Sequence, residues 1–369
     1  MRYFVTHPRK VRGRAVHQTA TEKKSQDLAR MAATGSMESD IQVKVRTPKS
    51  FESRENMEEL NRRAVEEAYL MPSVSHFIKT PEVDEVEERV KLWLTAGYPV
   101  HIIGPTGCGK TSLATHVAKE MGRPVVWING DESITTTDLI GGYSQMENES
   151  VRDKYIHNVF KSKDVTRIEW VDNPLSLACK YGYTLIYNEF ARTKPASNNI
   201  LLSVFEEGIL ELPTKFGEDR YVNVHPEFRA ILTSNSIEYA GIHRPQDALL
   251  DRMVGIYADY YGYETEVEIV IEHTGLDKEL AENIVKLVRS VRERLPDAQK
   301  PGTRACIMIA NGLKALNGIR EINGSRWSNG SKKIGFEQFC IDVIANKTSS
   351  PKDMEEKKSL ILECVAALS

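Results

Sequence analysis

The sequence predicts an α/β fold, in which a parallel sheet carries a glycine-rich loop and a smaller α-helical domain follows it. Three observations support this prediction. Between residues 100 and 257, five short apolar strands alternate with helices, a pattern typical of a doubly wound parallel sheet that is buried on both faces. A glycine-rich loop lies between the first of these strands and the next helix. After about residue 262 the strand pattern stops, and the remaining residues show the spacing of amphipathic helices.

The elements can be assigned in chain order from their apolar spacing and from the residues that end them. A helix is predicted after Pro81, with acidic residues in its first turn, where the helix dipole favours negative charge, and with Gly97 at its end. Strands are predicted at 100–103, 125–128, 184–187, 228–233 and 254–257, and helices at 110–121, 175–181, 195–207 and 247–250. A β-hairpin is predicted from residues 209–212 and 221–224. In the second domain, helical spacing covers residues 264–295, 303–317, 335–346 and 353–368.

The composition excludes several classes of protein. The 369 residues include 49 Lys and Arg against 52 Asp and Glu, a formal net charge of −3, which is too balanced for a protein whose whole surface binds nucleic acid. No run approaches the roughly 20 apolar residues of a membrane-spanning helix, and residues 1–20 lack the apolar stretch of a secretory signal. The five cysteines are widely spaced and form no CxxC pair. We therefore expect a cytoplasmic protein with neither a disulfide scaffold nor a structural zinc site.

The N-terminal residues differ from the rest of the chain in charge. Residues 1–50 contain eleven Lys or Arg and four Asp or Glu, a net charge of +7, and they lack sustained apolar periodicity. We predict a mostly disordered basic arm over residues 1–52, which is either a solvated tail without a partner or a docking arm for an acidic partner. Residues 53–75 are predicted as a helix and linker, followed by the sheet domain at 76–261 and the helical domain at 262–369.

The glycine-rich loop matches the phosphate-binding pattern GxxxxGK(S/T). It comprises Gly104, Pro105, Thr106, Gly107, Cys108, Gly109, Lys110 and Thr111, and Ser112 follows it. Glycines allow backbone N–H groups to close around phosphate oxygens, and the N-terminus of the following helix adds positive potential. In this pattern the lysine reaches the β- and γ-phosphates, and the threonine hydroxyl is a ligand of Mg²⁺. The loop therefore predicts a site for ATP and Mg²⁺.

Two later strands end in polar residues that could complete such a site. The strand Leu185–Tyr187 is followed by Asn188 and Glu189, which resembles a Walker B pattern with Asn in the usual place of Asp. We expect Asn188 to support Mg²⁺ through water and Glu189 to be the catalytic base, although ordinary surface polar residues would give the same pattern. The strand that begins at Phe228 ends at Asn235. Because the carboxyl ends of parallel strands line one crevice, Asn235 is expected near the attacking water or the γ-phosphate.

Two arginines become candidate site residues because they fall within the pattern of a known family. Arg252 follows Ala248-Leu-Leu-Asp251, and Arg304 lies near the start of a helix in the second domain. Together with the phosphate-binding loop and the polar strand ends, they resemble the AAA+ ATPases of the MoxR group. The resemblance narrows to the GvpN family of gas-vesicle proteins. It runs from about residue 76 to the end of the sequence, is densest over residues 97–260, and is carried by several short segments. These segments are Asp138–Gly141, Tyr183–Phe190, Lys194–Asn199, His225–Arg229, Thr233–Asn235, Glu238–Gly241 and Gln246–Arg252.

The resemblance implies both a fold and a function. It implies a sheet of strand order 5-1-4-3-2 with a C-terminal helical lid, and it assigns Asn235 as sensor 1, Arg252 as the arginine finger and Arg304 as sensor 2. It also implies a ring-shaped homo-oligomer, typically a hexamer, in which ATP hydrolysis serves the assembly or enlargement of gas vesicles. Gas-vesicle shell or accessory proteins would then be the partners, and no specific nucleic acid is expected.

Two other functions fit the same residues. A MoxR-type chaperone for metalloenzyme maturation would share every residue of the ATP site. An ATP-binding structural module that hydrolyses little is the other alternative, and Asn188 is the residue that keeps it open.

Overall fold

The computed structural model describes residues 77–152, 162–213, 220–236, 243–323, 336–346 and 350–367. The predicted basic arm (1–52), the predicted helix and linker (53–75) and the segment Glu238–Gly241 lie outside these residues. In the described part of the chain, no helix is both long enough and apolar enough to cross a membrane.

Strands and helices alternate through the first part of the described chain, and helices alone make up the second part. In chain order the strands are β1 (Val100–Gly104), β2 (Val125–Asn129), β3 (Gly141–Arg152), β4 (Ser162–Asp172), β5 (Thr184–Asn188), β6 (Ile209–Glu211), β7 (Tyr221–Asn223), β8 (Arg229–Asn235) and β9 (Val254–Tyr257). The helices are α1 (Pro81–Thr95), α2 (Lys110–Glu120), α3 (Thr136–Ile140), α4 (Pro174–Tyr181), α5 (Pro195–Asn198), α6 (Ile200–Glu206), α7 (Asp247–Leu250), α8 (Tyr263–Thr274), α9 (Lys278–Arg294), α10 (Thr303–Asn323), α11 (Phe336–Ile344) and α12 (Pro351–Ala366).

Five of the strands form the central sheet. They lie in the order β2-β5-β8-β1-β9, and each neighbouring pair is parallel. If these five strands are numbered by themselves in chain order, the order read from the other edge is 5-1-4-3-2. The α/β fold and the strand order implied by the family resemblance are therefore confirmed.

The register of the sheet brings polar strand ends to one edge. Gly104 at the end of β1 is paired with Asn235 at the end of β8, and Asn129 at the end of β2 is paired with Asn188 at the end of β5. Because the strands are parallel, these carboxyl ends line a single crevice, where open α/β sheets bind their ligands.

The sheet is buried on both faces, which explains the continuous apolar strands of the sequence. Within β5, Ile186 packs into a cluster that includes Leu113 of α2. Its neighbours Leu185 and Tyr187 join a second cluster that includes Leu175 of α4. Successive side chains of a strand point to opposite faces, so a strand with helices on both faces has no polar alternation.

Two further strand pairs accompany the sheet. Strands β6 and β7 pair in antiparallel register, as the predicted hairpin requires. Strands β3 and β4 form a two-stranded sheet that the sequence patterns do not predict, because their polar and charged residues carry no period-two apolar signal. Residues 146–152 and 162–167 of these strands belong to a different compact unit from the central sheet.

Helices α8 to α12 form a helical domain with its own apolar core. Each helix contributes to this core, for example through Val270, Ile284, Ile309, Cys340 and Ile361. The spacing at 264–295 corresponds to two helices, because α8 ends at Thr274 and Gly275 follows in the left-handed region. The predicted helix 195–207 is likewise divided into α5 and α6. At the division, Asn199 keeps helical φ and ψ angles of −58° and −27°, so only the hydrogen-bond pattern is interrupted.

Candidate nucleotide-binding site

The phosphate-binding loop joins the end of β1 to the start of α2. Gly109, directly before the helix, has a φ of 94°, a conformation that favours glycine. Lys110 is buried, and its ammonium donates to the carbonyl oxygens of Gly104 (2.9 Å) and Pro105 (2.7 Å) and to Oδ1 of Asn235 (3.1 Å). All three N–H donors of the ammonium therefore have acceptors, and the lysine of the loop is joined directly to the end of β8.

Electrostatics at Lys110 reflect its burial and its neighbours. Burial is the main cause of a lowered pKa of Lys110, and the charge of Arg304 adds to it, whereas Glu189, and Cys108 when its thiol is ionised, act in the opposite direction. Cys108 is itself buried and donates to the carbonyl oxygen of Ala258 at 3.4 Å. Burial raises the pKa of this thiol, so Cys108 fills space inside the loop as a neutral group.

Asn188 connects the loop to two neighbouring strands. Its Oδ1 accepts hydrogen bonds from the hydroxyls of Thr111 (2.9 Å) and Thr233 (2.8 Å). Its Nδ2 donates to Oδ1 of Asn129 at 3.1 Å. The amide of Asn188 is thereby fixed in one orientation, with its oxygen towards Thr111. The structure thus brings together the two residues that the sequence assigns to Mg²⁺.

Glu189 has the most unusual backbone of the site. Its φ of 52° makes it the one non-glycine residue with positive φ in the described part of the chain, a conformation that costs roughly 1–2 kcal/mol for such a residue. The backbone N–H of Glu189 donates to Thr233 Oγ1 at 3.1 Å. Its carboxylate accepts from Arg192 at 2.9 Å, and this bond raises the pKa of Arg192. Strained residues of this kind concentrate at functional sites.

The two candidate arginines occupy different surroundings. Arg304 is exposed, and its Cβ lies 3.8 Å from the place where a β-carbon on Gly107 would stand, so it is close to the phosphate-binding loop of its own chain. Arg252 instead pairs with Glu206 of α6, with 2.7 Å between Nε and the carboxylate, and it also donates to the Ala248 carbonyl. Its hydrogen bonds thus stay on the surface that carries α6 and α7.

The remaining loop residues surround the same centre. The carbonyl of Thr106 accepts from the hydroxyl of Tyr260 at 3.4 Å, Gly107 has a φ of 84°, and Ser112 is exposed on the first turn of α2.

Sequence reasoning missed three side chains that contact the candidate residues. Thr233 orients both Asn188 and Glu189, Asn129 holds the amide nitrogen of Asn188, and Arg192 pairs with Glu189. Asn129 stands at the end of an apolar strand, as Asn188 and Asn235 do, and Thr233 lies two residues before the end of β8. These positions are a signal that could have identified both residues.

Comparison with known proteins places the chain in a family. Residues 99–253 match the AAA domain of the dynein-related subfamily. The gas vesicle ATPase GvpN of Haloferax mediterranei is 49% identical over 94% of this chain and 93% of its own length. GvpN1 of Halobacterium salinarum is 52% identical over 83% of this chain and 85% of its own length. Protein CbbQ of Hydrogenophilus thermoluteolus is 25% identical over 57% of this chain and 70% of its own length. With this extent of identity to the gas vesicle ATPases, the chain belongs to the GvpN family of MoxR-type AAA+ ATPases.

Proposed function

We propose that the protein hydrolyses ATP and couples binding and hydrolysis to the assembly or enlargement of gas vesicles. The observation that carries the enzymatic half of this proposal is the convergence of Lys110, Thr111, Asn188, Glu189 and Asn235 at one edge of the sheet. Lys110 is hydrogen-bonded to Asn235 and Thr111 to Asn188, and the Thr233 hydroxyl joins Asn188 to the backbone of Glu189. Membership of the GvpN family supports the cellular half. It also favours gas vesicles over metalloenzyme maturation, because the relatives that are 49% and 52% identical to this chain are named gas vesicle ATPases.

The oxygen atoms at the end of β5 suit Mg²⁺. The Thr111 hydroxyl donates to Asn188 Oδ1 at 2.9 Å, so an ion bound by this hydroxyl would have the carbonyl oxygen of Asn188 within reach of its coordinated water molecules. Hydroxyl and carbonyl oxygens are ligands that this hard cation accepts. Bound Mg²⁺ would neutralise charge on the β- and γ-phosphates. In this proposal Thr111 binds the ion directly and Asn188 holds one of its water molecules.

Three residues would have separate roles towards the phosphates and the attacking water, namely Lys110, Glu189 and Asn235. Lys110 would exchange carbonyl acceptors for β- and γ-phosphate oxygens, a stronger, charge-assisted contact. Glu189 would orient the attacking water and accept its proton. Its exposed ion pair with Arg192 is worth roughly 0–1 kcal/mol and is readily exchanged. Asn235, which contacts Lys110 in the structure, would hold the water or the γ-phosphate from the other side.

Arg252 is proposed to act on the ATP of a neighbouring subunit. Its contacts with Glu206 and Ala248 keep it on the surface of its own chain, and an exposed ion pair of this type costs little to break. A ring of identical subunits, most simply a hexamer, would bring this surface to the next phosphate-binding loop. We further propose that the ring works in the cytoplasm on gas-vesicle shell or accessory proteins.

The proposal is tested by comparing purified variants in a phosphate-release assay and in cells that form gas vesicles. Lys110→Ala should bind a fluorescent ATP analogue poorly, and Glu189→Gln should bind it well without turnover. Both substitutions should abolish vesicle formation in cells. The exposed Lys119, on the same helix as Lys110, provides the matched control Lys119→Ala, which should retain both activities. Unchanged turnover in Lys110→Ala would refute the assignment of the ATP site.

A second candidate function is an ATP-binding module that changes shape but hydrolyses little. The observation that favours it is Asn188, because an amide lacks the charge with which Asp usually supports Mg²⁺. In that case Lys110→Ala would still stop vesicle formation, whereas Glu189→Gln would leave vesicle formation intact.

A further inference from the structure

A buried ion cluster lies inside the helical domain, close to the candidate site. Glu266 of α8 is fully buried, and its carboxylate accepts hydrogen bonds from Arg292 (2.7 and 3.2 Å) and Arg289 (2.8 Å) of α9. It also accepts from the hydroxyl of Thr303 at 2.8 Å. Thr303 is the first residue of α10 and precedes Arg304. One carboxylate therefore joins three helices of the domain at the point where α10 begins.

The same cluster continues to the phosphate-binding loop. Arg292 also donates to the carbonyl oxygen of Pro301 at 2.9 Å, and its guanidinium lies 4.0 Å from the centre of the Tyr260 ring. The hydroxyl of Tyr260 donates to the carbonyl oxygen of Thr106 in the phosphate-binding loop at 3.4 Å. A stacked arginine and tyrosine thus connect the buried carboxylate to the loop that would hold phosphate.

The segment between Pro301 and Thr303 touches the phosphate-binding loop directly. A β-carbon on Gly302 would lie 2.8 Å from the carbonyl carbon and oxygen of Gly107 and from the carbonyl oxygen of Thr106, so only glycine permits this approach. The flanking residues are those held by the cluster, Pro301 through Arg292 and Thr303 through Glu266. Contact with the loop and contact with the buried carboxylate therefore fix the same short segment.

We propose that Glu266, Arg292 and Thr303 are positioning residues, which hold the segment 301–303 against the phosphate-binding loop and thereby set the position of Arg304 over the phosphates of ATP. This inference rests on the proposed function. It explains how Arg304, whose own side chain is exposed, is held near the phosphate-binding loop.

The charged chemistry of the cluster favours a role in positioning the segment 301–303 over a role in stabilising the fold. A buried ion pair is expensive to desolvate, and an apolar group of similar size often stabilises a fold as well. What the charged cluster supplies is a fixed orientation of its groups, because several N–H and O–H donors converge on one carboxylate with defined geometry.

A cleft of about 620 Å³ is lined by Pro105 and Ser236 of the sheet domain and by Glu293 and Lys300 of the helical domain. Tyr260 and Arg292 also line this cleft and connect its two sides.

The test removes one bond of the cluster and leaves the others in place. Thr303→Val deletes the hydroxyl that reaches Glu266 but leaves both arginines paired with the carboxylate. We expect kcat for ATP hydrolysis to fall about tenfold, the equivalent of one charge-assisted hydrogen bond in the transition state, while affinity for a fluorescent ATP analogue changes by less than about twofold. Thr303→Ser restores the hydroxyl and should restore kcat. Thermal unfolding of each variant verifies that it is folded at the assay temperature, and Thr303→Ala serves if the valine variant is not.

A double-mutant cycle with Arg304→Ala separates positioning from general damage. If Thr303 acts through Arg304, then Thr303→Val should cause no further loss of kcat in the Arg304→Ala background, because coupled residues are not additive. The same tenfold loss in both backgrounds, or an unchanged kcat in Thr303→Val alone, would overturn the inference. The proposed function would instead be overturned if the parent protein showed no ATP hydrolysis that depends on Lys110. Failure of this inference and failure of the proposed function are therefore distinguishable.

Discussion

Replacing Asn188 by Asp changes one atom at the centre of the candidate metal site. Oδ1 of Asn188 already accepts from Thr111 and Thr233, and a carboxylate would keep both bonds. Nδ2 donates to Asn129 Oδ1 at 3.1 Å, and this donor is lost in Asn188→Asp. A rotation of the exposed Asn129 amide by a half turn would turn its own N–H₂ towards the new carboxylate. The substitution therefore fits the structure with the same number of hydrogen bonds.

The expected increase in turnover comes from the negative charge of the new carboxylate. Hydrogen bonds with an ionised partner are about twice as strong as neutral ones, and a neutral bond contributes about 1 kcal/mol. A carboxylate that contacts a Mg²⁺-bound water should therefore add about 1–2 kcal/mol. Because 1.4 kcal/mol corresponds to about tenfold, we expect Asn188→Asp to raise turnover, or to lower the Mg²⁺ concentration at half-maximal rate, by about five- to thirtyfold.

Phosphate release measured across a Mg²⁺ titration tests this expectation. Asn129→Asp is the matched control, because it adds the same charge at the end of the neighbouring strand but further from Thr111. Equal effects of the two variants would indicate a general attraction of cations. The double variant Asn188→Asp with Glu189→Gln should remain inactive, since the gain requires the catalytic base. If Asn188→Asp changes neither the rate nor the Mg²⁺ requirement, residue 188 is not at the metal and the reasoning is refuted. If turnover rises but vesicle yield falls, Asn188 is a brake that couples hydrolysis to a partner.

Three further changes test other parts of the structure. Arg252→Ala should bind ATP normally and hydrolyse it about 10³–10⁵-fold more slowly, as expected for an arginine finger. Mixing it with Lys110→Ala subunits should recover some phosphate release, and no recovery at any ratio would argue against action between subunits. Burial lowers the pKa of His101 to about 4, below its unfolded value of about 6.5, so the unfolded state binds more protons and stability should fall as the pH drops from about 6.5 towards 4. Thermal unfolding of His101→Gln should depend less on pH over this range, and an equally steep dependence would assign it to other groups. Deleting residues 1–50 should leave ATP hydrolysis intact, whereas lost activity would make them part of the active fold. If these residues dock on an acidic partner, the association should weaken steeply with salt.

The α/β fold and the nucleotide loop could be predicted from local sequence alone. Strands such as β5 are continuously apolar because helices cover both faces of the sheet, and that burial leaves a direct trace in residue type. The phosphate-binding loop can also be predicted from the sequence. A positive φ such as that of Gly109 favours glycine, and phosphate binding requires Lys110 at a set spacing from the glycines. Strands β3 and β4 were not predictable by the same means, because they have no apolar period.

The interior of the site depended on tertiary structure. The bond between Asn188 and Thr233 spans 45 positions in the chain, and it exists because β5 and β8 are neighbours in a particular register. The ion pair of Glu189 with Arg192 occurs where Glu189 has a left-handed backbone, a conformation that no residue type at this position predicts. Strand order and backbone conformation are set by the packing of the whole domain, so side-chain pairs that depend on them leave no local pattern.

The class of fold, the phosphate-binding loop and the residue types at the strand ends can all be inferred from the sequence, because each depends on burial or backbone geometry within a few residues. Which of those residues meet depends on the tertiary structure. It joined Lys110 to Asn235 and Asn188 to Thr111, and it brought the buried cluster around Glu266 to the segment before Arg304. Such contacts link residues 37 to 125 positions apart, and their energies depend on distances of about 3 Å that only the packed chain defines.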